Sequence, residues 1–286
     1  VTSRFKRLPM PTARSAWLAG FAFWLSVQGC TAKEGALLAR DVMVDAGGDT
    51  AQPGARAVRP KMSLQYQING QLDAQVDAQL FVIDLFDSTA AQVAQLHAAG
   101  RVVIAYVSVG SLESYRDDVA NFPSSAVGMT LANYQEERWL DIRNAEVRTL
   151  MQRRLDRAVE KGFDGVFASA LGAYLQRTGF ELTQANQVDY DAFLAGAAHT
   201  RHLSIGLSED FTLDRSLIDA FDWALAIGCI ADNDCNALAG WLARGRPVFD
   251  LETEGDHDAV CMQAASYGIP VTFKRAKYDA YRSPCT

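Results

Sequence analysis

The sequence predicts a (β/α)8 barrel, the TIM-barrel form of the α/β class. Eight short apolar runs recur between residues 64 and 274, and helical patterns separate many of them. Several runs are apolar without alternation, such as Leu80-Phe81-Val82-Ile83 and Val102-Val103-Ile104-Ala105. Continuous runs of this kind suit parallel strands covered on both faces. Eight of them alternating with helices in one chain favour a closed barrel over an open sheet. A length of 286 residues and an apolar fraction of 49% supply the core such a barrel requires.

The chain divides into three parts, residues 1–29, 30–60 and 61–286. The first reads as a signal peptide. Arg4, Lys6, Arg7 and Arg14 precede the apolar run Ala16–Leu25, which is too short to span a bilayer comfortably. Val1 is taken as a start codon read literally, so the sequence is expected to be a precursor. The run ends in Leu25-Ser26-Val27-Gln28-Gly29-Cys30, similar to a bacterial lipobox, which makes Cys30 the expected lipidation site. Residues 31–60 are rich in Ala, Gly, Asp, Arg and Pro without periodicity and read as a flexible tether. An exported envelope lipoprotein follows, with the outer membrane or cell surface favoured and the lipid its sole membrane attachment.

The barrel strands are expected at Leu64–Ile68, Leu80–Leu85, Val102–Ser108, Gly165–Ser169, Leu203–Leu207, Trp223–Ile227, Pro247–Glu252 and Pro270–Lys274. Ser88 is expected to cap a helix ending near Ala99 before Gly100. Ala145–Lys161 has helical spacing in Val147, Leu150, Met151, Leu155 and Val159 and ends at Gly162. Thr183 is expected to cap Gln184–His199. The run Arg138–Arg143 belongs to a long insertion after the third strand.

Cys229, Cys235, Cys261 and Cys285 remain beside Cys30, an even number in an oxidising compartment. Four cysteines allow three pairings, and local closure favours Cys229–Cys235 with Cys261–Cys285. No C-x-x-C pair supports zinc. His199 and His202 sit near a helix end, away from the strand-end face. No metal or cofactor is expected, since no phosphate loop, dinucleotide fingerprint or G-x-S-x-G elbow is present. A net charge of −7 argues against nucleic acid and suits a cationic ligand.

Chemistry in such barrels sits at the carboxyl ends of the strands. There the sequence resembles glycoside hydrolase family 114, the endo-α-1,4-polygalactosaminidase family. The resemblance runs from about Leu64 to Cys285. It rests on Ile83–Asp87, on Tyr106–Ser111 with Glu113, on Glu137–Arg143, on Lys161–Val166, on Thr178–Phe180 with Leu182-Thr183, and on Pro247–Phe249 with Glu252. Such barrels cut glycosidic bonds with a pair of carboxylates. The resemblance implies that the nucleophile position is Ser169, within Phe167–Tyr174, and that the acid position is Ile227, within Ala226–Cys229. Neither residue can do that work, because isoleucine moves no proton and Ser169 has no adjacent base in the sequence.

Asp84, Tyr106, Glu113, Tyr174, Glu209 and Glu252 are the candidate saccharide-binding residues. The acids suit sugar hydroxyls or a galactosamine ammonium, and the tyrosines suit stacking on rings; bracing of the mouth by the acids and packing by the tyrosines stand as alternatives. The expectation is a catalytically inactive saccharide-binding homologue, with a polysaccharide or amino-sugar oligomer as partner. Two alternatives stay open. One is an active glycosidase using displaced carboxylates among Asp84, Glu113, Glu209 and Glu252. The other is a structural or protein-binding barrel.

Overall fold

A computed structural model describes residues 56–208, 211 and 215–285. The expected signal peptide, Cys30 and Glu209 lie outside the described residues. The elements run β1 (Leu64–Gln67), β2 (Leu80–Asp84), α1 (Ala90–Ala98), β3 (Val102–Ser108), β4 (Ser111–Glu113), β5 (Val127–Leu131), β6 (Tyr134–Leu140), α2 (Ala145–Lys161), β7 (Gly165–Ser169) and α3 (Gln184–His199). They continue through β8 (Ser204–Leu207), α4 (Arg215–Ala220), β9 (Trp223–Ile227), α5 (Ala239–Ala243), β10 (Val248–Glu252), α6 (His257–Tyr267), β11 (Val271–Phe273) and β12 (Ser283–Pro284). Each of the eight expected strands is present.

The main sheet is ordered β1-β2-β3-β7-β8-β9-β10-β11-β12. Its first eight strands are parallel, and β12 runs antiparallel to β11. Alternate residues of six strands meet in one inner cluster, among them Leu64, Tyr66, Val82, Ile104, Phe167, Trp223 and Leu251. Side chains from β1 and β10 touch the same cluster only because the sheet curls into a barrel. The opposite parity, such as Phe81, Ile83, Val103, Val166 and Ile205, packs under the helices. Burial on both faces is the physical reason the strands carry no alternation. At Gly206 an added Cβ would lie 2.4 Å from the Trp223 ring, so β8 yields its inner space to that indole.

Among the described residues β1 and β11 share no strand ladder, and a strap, residues 275–282, bridges them. The backbone N–H groups of Ile68 and Asn69 donate to the Tyr278 carbonyl at 3.1 and 3.3 Å. Gln65 Nε2 donates to Ala280 O at 3.0 Å, and Arg282 Nε donates to Leu64 O at 2.7 Å. Lys274 Nζ donates to Gln65 Oε1, Asp279 O and Tyr281 O. Burial pulls that ammonium down to about 8.

Helix α1 is capped by Thr89, not by Ser88. Thr89 has the extended φ and ψ of a cap, its hydroxyl accepts from Gln92 N, and the Gln92 side chain returns to Thr89 N. The Ser88 carbonyl instead receives Lys161 Nζ at 2.6 Å. Asn144 caps α2, and Gly162 closes it in the left-handed region at φ 83°. Thr183 caps α3 as expected. The run Arg138–Arg143 enters β6, the centre of a three-stranded antiparallel sheet ordered β4-β6-β5 over the insertion. Both expected disulfides form, Cys229–Cys235 and Cys261–Cys285. No helix among the described residues is long and apolar enough to cross a membrane.

Candidate functional site

The carboxyl ends of the parallel strands form one mouth, and side chains from the helices fix its loops. Lys161 of α2 donates to the carbonyls of Leu85 and Phe86 at 2.7 and 3.0 Å, holding the turn after β2. Arg154 of α2 donates to Ser108 O at 2.7 Å and is paired with Asp118. Tyr190 of α3 donates its hydroxyl to Val109 O at 2.6 Å. Gly110 permits the close approach of the β3 loop, because a Cβ there would lie 1.8 Å from Ala170 O.

Asp84 ends β2 and Glu113 ends β4, and one guanidinium joins them. Arg116 Nη1 and Nη2 donate to the two Asp84 oxygens at 3.0 and 2.6 Å. Its Nε and Nη2 donate to the two Glu113 oxygens at 2.9 and 2.8 Å. Phe86 and Tyr115 flank the guanidinium at 4.7 and 4.8 Å from their ring centroids. All three charged residues are buried. Burial alone would lower the Arg116 pKa, but the hydrogen bonds and charges of Glu113 and Asp84 outweigh it and raise it. The Asp84 and Glu113 oxygens are therefore engaged within the protein. Sequence reasoning missed Arg116; its spacing of three from Glu113 was the available signal.

Glu137 on β6 stands opposite Glu113 across the β4–β6 ladder. Ser111 donates to its Oε2 at 2.6 Å, and the Ser111 hydroxyl lies 2.6 Å from that of Ser108. The residue is half-buried. Desolvation raises its pKa against the lowering Ser111 hydrogen bond, and the Glu113 charge raises it further. Its place in the run Glu137–Arg143 was legible; its place beside Glu113 was not.

Ser169 ends β7 and Ile227 ends β9, in register with the inward residues Phe167 and Leu225 of the same strands. Ser169 stands opposite Ser108 in the β3–β7 ladder, and the pKa of Tyr106, two residues back on β3, is raised by burial first and by Glu113 second. Ile227 is 38% exposed. Below them lies an aromatic floor, with Tyr66 edge-on to Tyr106 and Phe167 and with Phe167 stacked on Trp223 at 5.6 Å. Tyr174 is half-buried against the outer core.

Glu252 ends β10 and turns away from the inner cluster. Its Oε1 accepts from Ile230 N and Ala231 N at 2.9 and 3.1 Å, and Asp250 Oδ1 accepts from Cys229 N at 3.2 Å. Both acids are almost wholly buried, and neither forms an ion pair among the described residues. Burial and the Glu252 charge raise Asp250 well above the carboxylate range, and burial raises Glu252. Asp250 Oδ2 and Glu252 Oε2 have no hydrogen-bond partner among the described residues, and burial favours a neutral carboxyl in the pair. Sequence reasoning missed Asp250, although its spacing of two from Glu252 placed both on one strand face.

Two clefts open beside β1, of about 470 and about 240 Å3. They share Gln67, Asn69, Gly70 and Gln71; the larger reaches the strap at Tyr281 and the smaller reaches Asp84 and Asp87. Neither is lined by Ser169 or Ile227. Asp141 and Arg143 pair with each other, and His199 pairs with Asp222 at 3.0 Å. Among the described residues no group of three or more His, Cys, Asp or Glu is arranged to hold a metal ion.

A family model described as glycoside-hydrolase family GH114 matches residues 47–286. The crystal structure of Aspergillus fumigatus Ega3 in complex with galactosamine superposes with a TM-score of 0.76 at 32% identity, covering 84% of this chain and 100% of that chain. The glycoside hydrolase domain of PelA from Pseudomonas aeruginosa superposes with a TM-score of 0.62 at 15% identity, covering 77% of this chain and 97% of that chain. TtGalA, an α-galactosidase from Thermus thermophilus, gives 0.53 at 12% identity over 78% of this chain and 60% of that chain. The last two likenesses concern the fold. A comparison with curated proteins returned no match.

Proposed function

The chain belongs to glycoside hydrolase family GH114, and from that membership we propose a saccharide-binding member that does not cleave its ligand. One observation carries the reading. The surviving strand-end carboxylates among the described residues are engaged inside the protein, Asp84 and Glu113 by Arg116, and Glu252 by two backbone amides. The family's two catalytic positions are read as Ser169 and Ile227. Hydrolysis of a glycosidic bond requires a proton delivered to the leaving oxygen and a carboxylate on the opposite side. Ile227 supplies no proton, and a serine hydroxyl at 169 is no carboxylate.

The acidic mouth favours an amino-sugar oligomer. Asp84, Asp87, Glu113 and Glu137 gather around Arg116, and Lys161 of α2 is a further cation beside Asp84 and Asp87, so carboxylates outnumber cations there. The resemblance to a structure described as a galactosamine complex supports the same ligand class. The chain acts as an envelope lipoprotein, held at the membrane through Cys30 with the barrel beyond the tether.

A second reading, cleavage by a displaced carboxylate, draws on Glu137. Desolvation favours its protonated form, as a general acid requires, and it is half-exposed at the mouth. Calorimetry and mass spectrometry with α-1,4-linked galactosamine and N-acetylgalactosamine oligomers separate the readings. Binding without new products is expected. Products that disappear in Glu137→Gln would establish the second reading, and neither binding nor cleavage would leave a structural barrel. Ser169→Asp combined with Ile227→Glu then asks whether the rest of the mouth still fits a cleavable substrate.

A further inference from the structure

The two disulfides occupy unlike surroundings. Cys229 and Cys235 are each 2% exposed and lie in the main core. Cys261 and Cys285 are only partly buried, at the edge of that core. His257 begins α6, one turn before Cys261. Its Nδ1 and Nε2 stand 3.8 and 4.0 Å from Cys261 Sγ. The ring is held against Phe273, with centroids 4.9 Å apart, and its Nε2 lies 3.3 Å from Ser283 Oγ. Asp258 approaches Nδ1 at 3.4 Å. No such imidazole contact is made to the Cys229–Cys235 bridge among the described residues.

The position of this bridge gives its state a consequence. Cys285 directly follows β12, and β12 directly follows the strap that joins β11 to β1. The strap residues Arg275, Asp279, Ala280 and Tyr281 line the larger cleft. With the bridge closed, the strap is anchored to α6 covalently; with it open, the hydrogen bonds to β1, Lys274 and β11 remain.

We infer that Cys261–Cys285 is a thiol-exchange site, in which His257 assists the departure of Cys261 and the strap beside the cleft is released from α6. The attacking species is the thiolate of a dithiol. It forms a bond to Cys285 Sγ as the Cys285–Cys261 bond breaks, and the electron pair leaves on Cys261. His257 donates a hydrogen bond or a proton to that thiolate, which makes Cys261 the better leaving group. The second thiol of the reductant then displaces Cys285, so the dithiol is oxidised to a disulfide and both cysteines end as thiols.

The test uses the purified full chain with graded dithiothreitol, quenched by alkylation and mapped by mass spectrometry. Cys261 and Cys285 are expected to become labelled about tenfold or more ahead of Cys229 and Cys235, since exchange follows access and leaving-group stability. His257→Gln is expected to slow labelling of Cys261 and Cys285 by about threefold or more while leaving Cys229 and Cys235 unchanged. Hydrogen exchange in residues 275–284 is expected to rise once Cys261–Cys285 is open. Equal labelling of the two bridges in the unmodified chain would overturn the inference without recourse to any variant. Selective labelling that ignores His257→Gln would overturn the assisted site, and an unchanged strap after reduction would overturn its coupling to the cleft.

Discussion

Arg116 carries more of the mouth than any other side chain. It pairs with two buried carboxylates and lies between two aromatic rings. Removing one partner of a buried ionic cluster leaves uncompensated charge in a desolvated place. Arg116→Ala is therefore expected to cost about 3–5 kcal/mol in urea denaturation. Arg116→Lys should recover little of this, because an ammonium cannot serve two carboxylates through a planar fork. The Asp250–Glu252 pair behaves in the opposite sense. A carboxyl raised in the fold stabilises below its unfolded value, and that stability is lost as pH rises through the folded value. Asp250 is raised by burial first and by Glu252 second. Asp250→Asn keeps a neutral donor toward Glu252 and removes this titration. Its melting temperature is expected to match or exceed that of the unmodified chain at neutral pH, with a flatter profile upward from the ordinary carboxylate range. A steeper profile would show that Asp250 is not held protonated by the fold.

At the scale of elements, β8 and the β5–β6 hairpin show how close approach is arranged. The β8 backbone lies against the Trp223 indole at Gly206. Gly206→Ala forces the ring or the strand to move, and overpacking of this kind costs typically about 1–3 kcal/mol. A lowered melting temperature with altered tryptophan fluorescence is the expected result. The hairpin is held by a similar approach, since a Cβ on Gly128 would lie 2.1 Å from Thr178 O, and Met129 N donates to that carbonyl at 2.7 Å. This contact brings the segment Thr178–Phe180 against the insertion and so helps place Glu137 near the mouth. The expected strands and the long helices were legible because each carries its own local signal: apolar runs for strands, and helical spacing with a closing glycine for α2. The insertion carried weaker signals. Its strand β6 is polar and exposed through Glu136 and Arg138, so no apolar run marked it.

At the scale of the whole molecule, the barrel closes without a ladder between β1 and β11, and the strap supplies the joint. The same strap lines the larger cleft, which ties closure of the fold to the shape of its surface. The proposed lipid attachment makes its own prediction. Cys30→Ala is expected to move the protein from the membrane fraction to the soluble fraction of cells. A variant as membrane-bound as the unmodified chain would remove the lipobox reading.

The sequence by itself determined the alternation of strands and helices and the family resemblance, because each is written in a fixed linear pattern; it favoured the two disulfide pairings that close locally, and the structure decided among the three. The sequence also marked Ser169 and Ile227 as departures, since flanking residues kept the register of the comparison. Only the tertiary structure decided that Asp84 and Glu113 meet on Arg116, that Glu137 stands across from Glu113, and that Glu252 turns outward to Asp250 and the loop after β9. Whether a carboxylate faces solvent, a cation or another carboxylate depends on which elements fold against it. That choice is made by long-range packing, which short-range spacing does not encode.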